Sequence, residues 1–190
     1  NRYVSYNVDK TGQVLNNAAQ SASQLSVMTE LAGKIMTNAN LNASARVILN
    51  EVTGASRSAL NGHIEVAGAR ADVIIANPYG ITCAGCGFIN TNHATLTTGT
   101  ATYDNKGNVS GLDVSKGQVT ITGKGMDTRS TQYTDIIARS VKVNAKLQAN
   151  ELNIVTGNNH IDKYGRVQKK YDSSNAPDVA LDVSALGSMY

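Results

Sequence analysis

Tryptophan is absent from this chain, phenylalanine occurs once and proline twice in 190 residues. Any core must therefore hold few large rings. The hydrophobic residues, 41% of the total, are mostly Val, Ile, Leu and Ala. That supply suits stacks of small aliphatic side chains and is unusual for a compact α/β enzyme. No apolar run approaches the ~20 residues of a membrane-spanning helix. Charge is thin as well: 17 Lys and Arg against 14 Asp and Glu give +3, and Lys169-Lys170 is the one adjacent Lys pair. A basic patch interleaved with stacking aromatics does not stand out, which argues against a nucleic-acid partner. There is no signal peptide, but the chain opens in mid-pattern at NRYVSYNV, as it would if a leader had been removed. One domain covering residues 1–190 is the natural count at 20.0 kDa.

What the chain does contain is concentrated in residues 72–91, DVIIANPYGITCAGCGFINT. An apolar run at 73–76 ends in turn chemistry. Asn77 can cap a turn through its side chain, Pro78 presets φ at the second position, and Gly80 suits the fourth position of a type I turn. Ile81, the close pair Cys83 and Cys86, and the apolar pair Phe88-Ile89 follow. No acid–base pair or nucleophile accompanies them, so the stretch reads as shape rather than chemistry.

Elsewhere short strands dominate. Residues 3–8 alternate as a strand, and 9–12 form the turn behind it. Residues 17–35 are the only plausible helix, with Leu25, Met28, Leu31 and Ala32 at loose helical spacing; their Ser and Gln content makes a loop an equal alternative. Clean alternation marks 118–122 and 140–145, where Val119 and Ile121 lie 22 residues before Val141 and Val143. An apolar–Thr–Gly ending recurs at 52–54, 121–123 and 155–157. Imperfect repetition every twenty to thirty residues, with Gly and Asn at the corners, predicts an all-β chain coiled as a β-solenoid. The rival is an antiparallel sandwich. The hairpin signals expected at 104–108 and 123–125 read as insertions on the solenoid, and 172–177 (DSSNAP) as a loop before a last strand segment.

Each remaining chemical candidate meets a plainer reading. A zinc site at Cys83 and Cys86 lacks ligands, since only His93 is near and His63 and His160 are remote. A redox pair should start a helix, whereas Gly87-Phe88-Ile89 reads as strand. A structural disulfide that pins the loop is the first expectation, with buried free thiols as the alternative. A polysaccharide lyase needs converging carboxylates, and Asp72, Asp113, Asp127 and Asp135 do not recur at a coil period, so they read as solvated. His63 and His93 read as surface residues. YGRVQKKY (164–171) reads as a Lys-guarded edge or loop, and the Asn-rich corners read as turns.

ANPYGITCAGCGFINT also resembles the signature of secretion domains from two-partner secretion exoproteins, Asn-Pro-Asn-Gly-Ile followed by Cys-x-x-Cys-Gly-Phe. TNANLNASARVILNEVTG (37–54) resembles the family's other marker, Asn-Pro-Asn-Leu and a strand, and SALNGHIEVAGARADVII (58–75) fits the link between them. The likeness is closest to the contact-dependent growth inhibition and filamentous-haemagglutinin groups. Ala39 stands where the family has Pro, and Tyr79 where it usually has Asn. The resemblance implies a right-handed parallel β-helix with an N-terminal cap and small extra-helical sheets. It also implies a non-enzymatic role without metal or cofactor: a monomeric segment that reaches the periplasm and is bound there by the periplasmic domains of an outer-membrane transporter. The exoprotein then folds outside the cell, secreted or at the bacterial surface. By resemblance, Asn38, Asn40, Leu41, Asn77, Pro78, Tyr79, Gly80 and Ile81 are recognition or fold-determining residues. Both chain ends read as internal points of a longer, toxin-bearing protein. An adhesin module binding glycan or a host protein is the alternative.

Overall fold

The computed structural model describes residues 1–172, 176–183 and 188–190. Half of the loop expected at 172–177 (residues 173–175) and the end of the last expected strand segment (184–187) lie outside the described residues. Among the described residues there is no helix. The strands run β1 (Arg2–Tyr3), β2 (Gln13–Asn17), β3 (Ser26–Thr29), β4 (Gly33–Met36), β5 (Val47–Val52), β6 (Ser58–Leu60), β7 (His63–Gly68), β8 (Ala71–Ala76), β9 (Ile81–Cys83), β10 (Cys86–Ile89) and β11 (Thr91–Thr97). They continue as β12 (Thr100–Tyr103), β13 (Val109–Val114), β14 (Gln118–Ile121), β15 (Met126–Ala138), β16 (Ser140–Val143), β17 (Lys146–Thr156), β18 (Asn159–Asp162), β19 (Val167–Lys170), β20 (Leu181–Val183) and β21 (Ser188–Met189).

These strands wind as a parallel β-helix with three faces. One face stacks β6, β9, β14, β16 and β20, all parallel. Val119 pairs with Val141 and Ile121 with Val143, the register that the 22-residue offset predicts. Because side chains alternate, one ladder of each strand points inward. Leu60, Cys83, Ile121 and Val143 form such a ladder and are fully buried. A second face stacks β2, β7, β10 and the first parts of β15 and β17. The third stacks β5, β8, β11 and the later parts of β15 and β17, where Ile75, Leu96 and Ile136 stack inward. The core is thus a column of aliphatic rungs with Phe88 inside it and the buried Tyr6 ring as well, as the shortage of large rings leads one to expect.

Two insertions leave the same corner of the helix, between the third face and the first. The hairpin β12–β13 and the hairpin β18–β19 pair with each other as a four-stranded antiparallel sheet. Ala101, Leu112, Val114 and Ile161 of that sheet pack on Ile137, Leu49 and Val155 of the third face. The turn at 104–108 is a hairpin turn, closed by Asp104. The turn at 123–125 is not. It is a solenoid corner that joins β14 to β15 in different faces, its Gly–Lys–Gly sharpness serving a change of direction rather than a reversal.

The helix considered for residues 17–35 is replaced by a two-stranded antiparallel ribbon, β3–β4. Its turn is held from two sides. Thr29 Oγ1 accepts the Ala32 backbone N–H at 2.9 Å and donates to the Gly33 carbonyl at 2.8 Å. The buried Glu65 carboxylate accepts the Glu30 and Leu31 N–H groups, each at 2.9 Å. Leu25 and Met28 are exposed, so their helical spacing never marked a buried face. The strand expected at 3–8 is shorter than its alternation suggests: β1 ends at Tyr3, and Val8 adds only a bridge to Leu60.

Candidate functional site: two asparagine turns

Asn77 leaves the end of β8 fully buried, at 0% exposure. Its carbonyl accepts the Gly80 N–H at 3.0 Å, closing the turn, and its Oδ1 accepts the Tyr79 N–H at 3.0 Å. A short side-chain amide that mimics the backbone in this way is why Asn starts such turns. Its Nδ2 reaches the preceding coil, donating to the Ser56 carbonyl at 2.8 Å and the Ser58 hydroxyl at 3.0 Å. Its own N–H donates to the Thr97 carbonyl of the next coil at 2.9 Å. One residue therefore closes a turn and joins three successive coils.

The rest of the turn is equally crowded. Gly80 has φ +113°, and a Cβ there would lie 2.2 Å from Arg57 Nη1 and 2.9 Å from the Gln118 carbonyl oxygen. Only glycine meets both demands. Arg57 Nη2 in turn donates to the Ile81 and Gln118 carbonyls, each at 3.3 Å, so its charge is spread across two coils. Ile81 is buried as the first rung of β9. Pro78 is half-buried, and Gly117 passes beneath it, leaving no room for a side chain against the Pro78 carbonyl oxygen. Tyr79 alone points outward, 44% exposed, with Lys116 Nζ 3.8 Å from its ring centroid. Arg57, Gly117 and Lys116 carry no motif of their own, and no sequence signal marks them as the supports of this turn.

The upstream motif repeats the device. The Asn38 carbonyl accepts the Leu41 N–H at 3.1 Å, its Oδ1 accepts the Asn40 N–H at 3.0 Å, and its Nδ2 donates to the Asn16 carbonyl at 3.1 Å. Its N–H donates to the Ala18 carbonyl at 2.7 Å. The setting is looser, however: Asn38 and Leu41 are half-buried, and Ala39 and Asn40 are exposed. The two turns anchor to separate parts of the fold, the first to the cap around β2 and the second to the corner ahead of β9.

Cys83 and Cys86 are joined by a disulfide across the corner between β9 and β10, with Cα atoms 5.4 Å apart and both residues buried. Among the described residues no group of three or more His, Cys, Asp or Glu is arranged to hold a metal ion.

Two of the carboxylates read as solvated are not. Asp72 on β8, His93 on β11 and Asp135 on β15 line one cavity of about 270 Å³ between the third face and the extra-helical sheet. His93 Nε2 and Asp135 Oδ2 are 2.7 Å apart, so His93 is not a plain surface residue. The bond to Asp135 holds the imidazole above its ordinary value despite burial. Burial raises the Asp72 carboxyl, with the nearby His93 opposing. The insertion between β11 and β14 stretches the separation of His93 and Asp135 to 42 residues and hides their alignment. All three already face one another, and the cluster reads as a seam between two sheets. His63 is exposed, as expected.

Comparison with known proteins fits this geometry. A family model described as "TPS secretion domain" matches residues 1–190. The chain is 50% identical over 193 residues to "Toxin CdiA" of Yersinia pestis and 48% identical over 192 residues to "tRNA nuclease CdiA" of Escherichia coli O6:K15:H31 (strain 536 / UPEC). In both cases 100% of this chain is covered but only 6% of the relative, so the chain spans a small part of the proteins it matches. Among solved structures it resembles the filamentous hemagglutinin secretion domain, with TM-score 0.89 and 34% identity, covering 100% of this chain and 65% of that one. No described helix is long and apolar enough to cross a membrane. With the matched family, the two asparagine turns and the parallel β-helix in agreement, this chain belongs to the TPS secretion domains, the secretion domains of two-partner secretion exoproteins.

Proposed function

We propose that this domain directs a large exoprotein to its outer-membrane β-barrel transporter, whose periplasmic domains bind it, and then seeds β-helix folding outside the cell. The parent protein is a contact-dependent growth inhibition toxin whose toxic activity lies elsewhere in its length, and this domain acts by binding and folding, as a monomer and without catalysis or cofactor. The observation that carries this reading is the pair of asparagine turns, each of which ties a corner to a segment about one coil earlier. A solenoid gains stability from contacts between neighbouring coils, so its first coils must form without a template. Side chains that lock coil to coil supply what the template would. Past Ala149, whose N–H donates to the Tyr190 carbonyl, the later part of β17 pairs with no further strand among the described residues, and a further coil can form there.

Within the motifs, burial separates two roles. Asn77, Gly80 and Ile81 shape the corner, while Tyr79, Ala39 and Asn40 present surface to a partner. The direct test places residues 1–190 ahead of a reporter β-helix in cells with and without a two-partner transporter. Reporter in the medium only when the transporter is present is expected. Equal release without it, or retention in both, overturns the reading.

A further inference from the structure

The β18–β19 hairpin and the residue after it hold the chain's entire net charge. Lys163, Arg166, Lys169 and Lys170 against Asp162 give +3 within residues 162–171. The remaining residues balance, with 13 basic (17 less these 4) against 13 acidic (14 less this 1). The scatter of basic residues along the chain therefore hides one localised patch. Among the described residues none of these four cations forms an ion pair with a carboxylate.

Three nearby carboxylates carry hydrogen bonds of their own, although Lys163 also lines the cavity with Asp72, Asp135 and Asp162 and, after the Asn108 N–H, its charge helps hold the Asp104 carboxyl low. Asp162 closes its own turn by accepting the Tyr164 and Arg166 N–H groups at 2.9 and 3.0 Å. Asp113, on the neighbouring β13, is 2.7 Å from His160 Nδ1 and accepts the Tyr171 hydroxyl at 3.0 Å. Asp104, in the adjacent hairpin tip, accepts the Asn108 and Lys106 N–H groups. The cations rest instead on rings: Lys163 and Arg166 lie 5.2 and 5.6 Å from the Tyr164 centroid, and Lys169 lies 5.3 Å from that of Tyr171.

Position narrows the partner. β19 is the outermost strand of the extra-helical sheet, and all four of its residues are exposed. Lysines on such an edge, and the register shift beside His160, discourage an incoming strand, so a protein partner pairing by its backbone is disfavoured. The rings already carry their own cations and are poorly placed to stack nucleobases. Arg166, Lys169 and Lys170 on flexible stems, with Lys163 beside them and exposed tyrosines flanking them, suit a plane of phosphates, because Tyr settles at the headgroup level of a membrane surface.

We infer that this hairpin is a docking surface for the phosphate-bearing outer leaflet of the outer membrane, holding the folded domain against the surface it has just crossed. This rests on the proposal that the domain folds outside the cell. The test measures partition of the folded 190-residue chain onto phosphatidylcholine vesicles with and without lipopolysaccharide. Binding only to the lipopolysaccharide vesicles, weakening with salt, is expected. Each neutralised cation near an anionic surface is expected to lower partition about 5-fold, so the Lys169→Gln/Lys170→Gln pair loses roughly 25-fold. The Lys10→Gln/Lys34→Gln pair removes the same charge from exposed sites elsewhere and is expected to change it less than about 2-fold. Melting curves of both doubles should match the parent. Equal loss in the two doubles, absence of binding to lipopolysaccharide vesicles, or equally strong retention of a single-stranded oligonucleotide would overturn the inference. Export measured with and without the transporter is a separate readout, so failure here leaves the secretion role standing.

Discussion

The turn at 38–41 and the turn at 77–80 use one local device in two surroundings. In both, an asparagine side chain accepts the N–H two residues on, its carbonyl accepts the N–H three residues on, and its amide nitrogen reaches back to a carbonyl about one coil earlier. The first turn sits in the cap, half in solvent. The second is enclosed by neighbouring coils on both sides, with Arg57 and Gly117 filling the space around it. The same hydrogen bonds therefore carry different weight, because an unmade bond costs more where water cannot replace it. This difference explains why the 77–80 turn keeps Pro and Gly while the 38–41 turn tolerates Ala39.

The largest effect should come from Gly80→Ala. It combines a positive φ with a clash against the Gln118 backbone, and a loss of about 3 kcal/mol is expected in denaturant unfolding. A loss under about 1 kcal/mol would show that the corner is softer than its packing implies. Next is the pair at the heart of the comparison. Asn77→Ala removes two donated bonds and one accepted bond at a fully buried site and should cost about 2 to 3 kcal/mol, whereas Asn38→Ala should cost about 1 kcal/mol. Equal losses would erase the distinction between the two turns.

Replacing both Cys83 and Cys86 by Ala opens only a very small loop, so the loss should be about 2 kcal/mol or less with the fold intact. Thiol titration of the unreduced protein should find no free cysteine. Ala39→Pro goes the other way. It places Pro where Pro78 stands in the matching turn, and a gain of about 0.5 kcal/mol is expected from the restricted unfolded chain. Destabilisation instead would show that the two backbones differ despite their shared bonds.

A third region gives a pH control, since neither turn contains a histidine or a carboxylate and the Asp72–His93–Asp135 seam does. His93 is raised by Asp135, so the stabilisation it lends is complete below the ordinary value of 6.5 and is lost as pH climbs through the raised value. Asp72, raised by burial, also favours the acid side. Amides of β11 and β13 should therefore exchange faster, beyond the intrinsic pH effect, at about pH 8 than at about pH 6. His93→Gln should flatten that dependence, while amides flanking Asn77 stay unaffected.

Much of the coil was legible in the sequence because regular rungs repeat: Val119 and Ile121 announce Val141 and Val143 directly. Where a hairpin interrupts the coil, the period stretches. Ile81 pairs with Val119, 38 residues on, and Val141 with Leu181, 40 residues on, and no fixed-period reading finds those partners. The same interruption kept Asp135 apart from Asp72 and His93 on paper. The ribbon at 26–36 was obscured for another reason: its turn depends on Glu65, which belongs to a later coil and leaves no local trace. The asparagine motifs were readable as turns because their chemistry is local. Their coil-to-coil bonds to Asn16, Ser56 and Ser58 were not, since those partners offer backbone carbonyls and one hydroxyl that any sequence could supply.

The central claim is that Asn77 serves secretion by shaping the corner rather than by being read directly. It is tested by measuring, for Asn77→Ala and Asn38→Ala in the full exoprotein with its transporter, the secreted and periplasm-retained fractions beside the unfolding free energy of each purified domain. Export should fall in step with stability, further for Asn77→Ala than for Asn38→Ala. Blocked export by an Asn77→Ala domain whose unfolding is unchanged, or normal export of Asn77→Ala beside blocked export of Asn38→Ala, would contradict it.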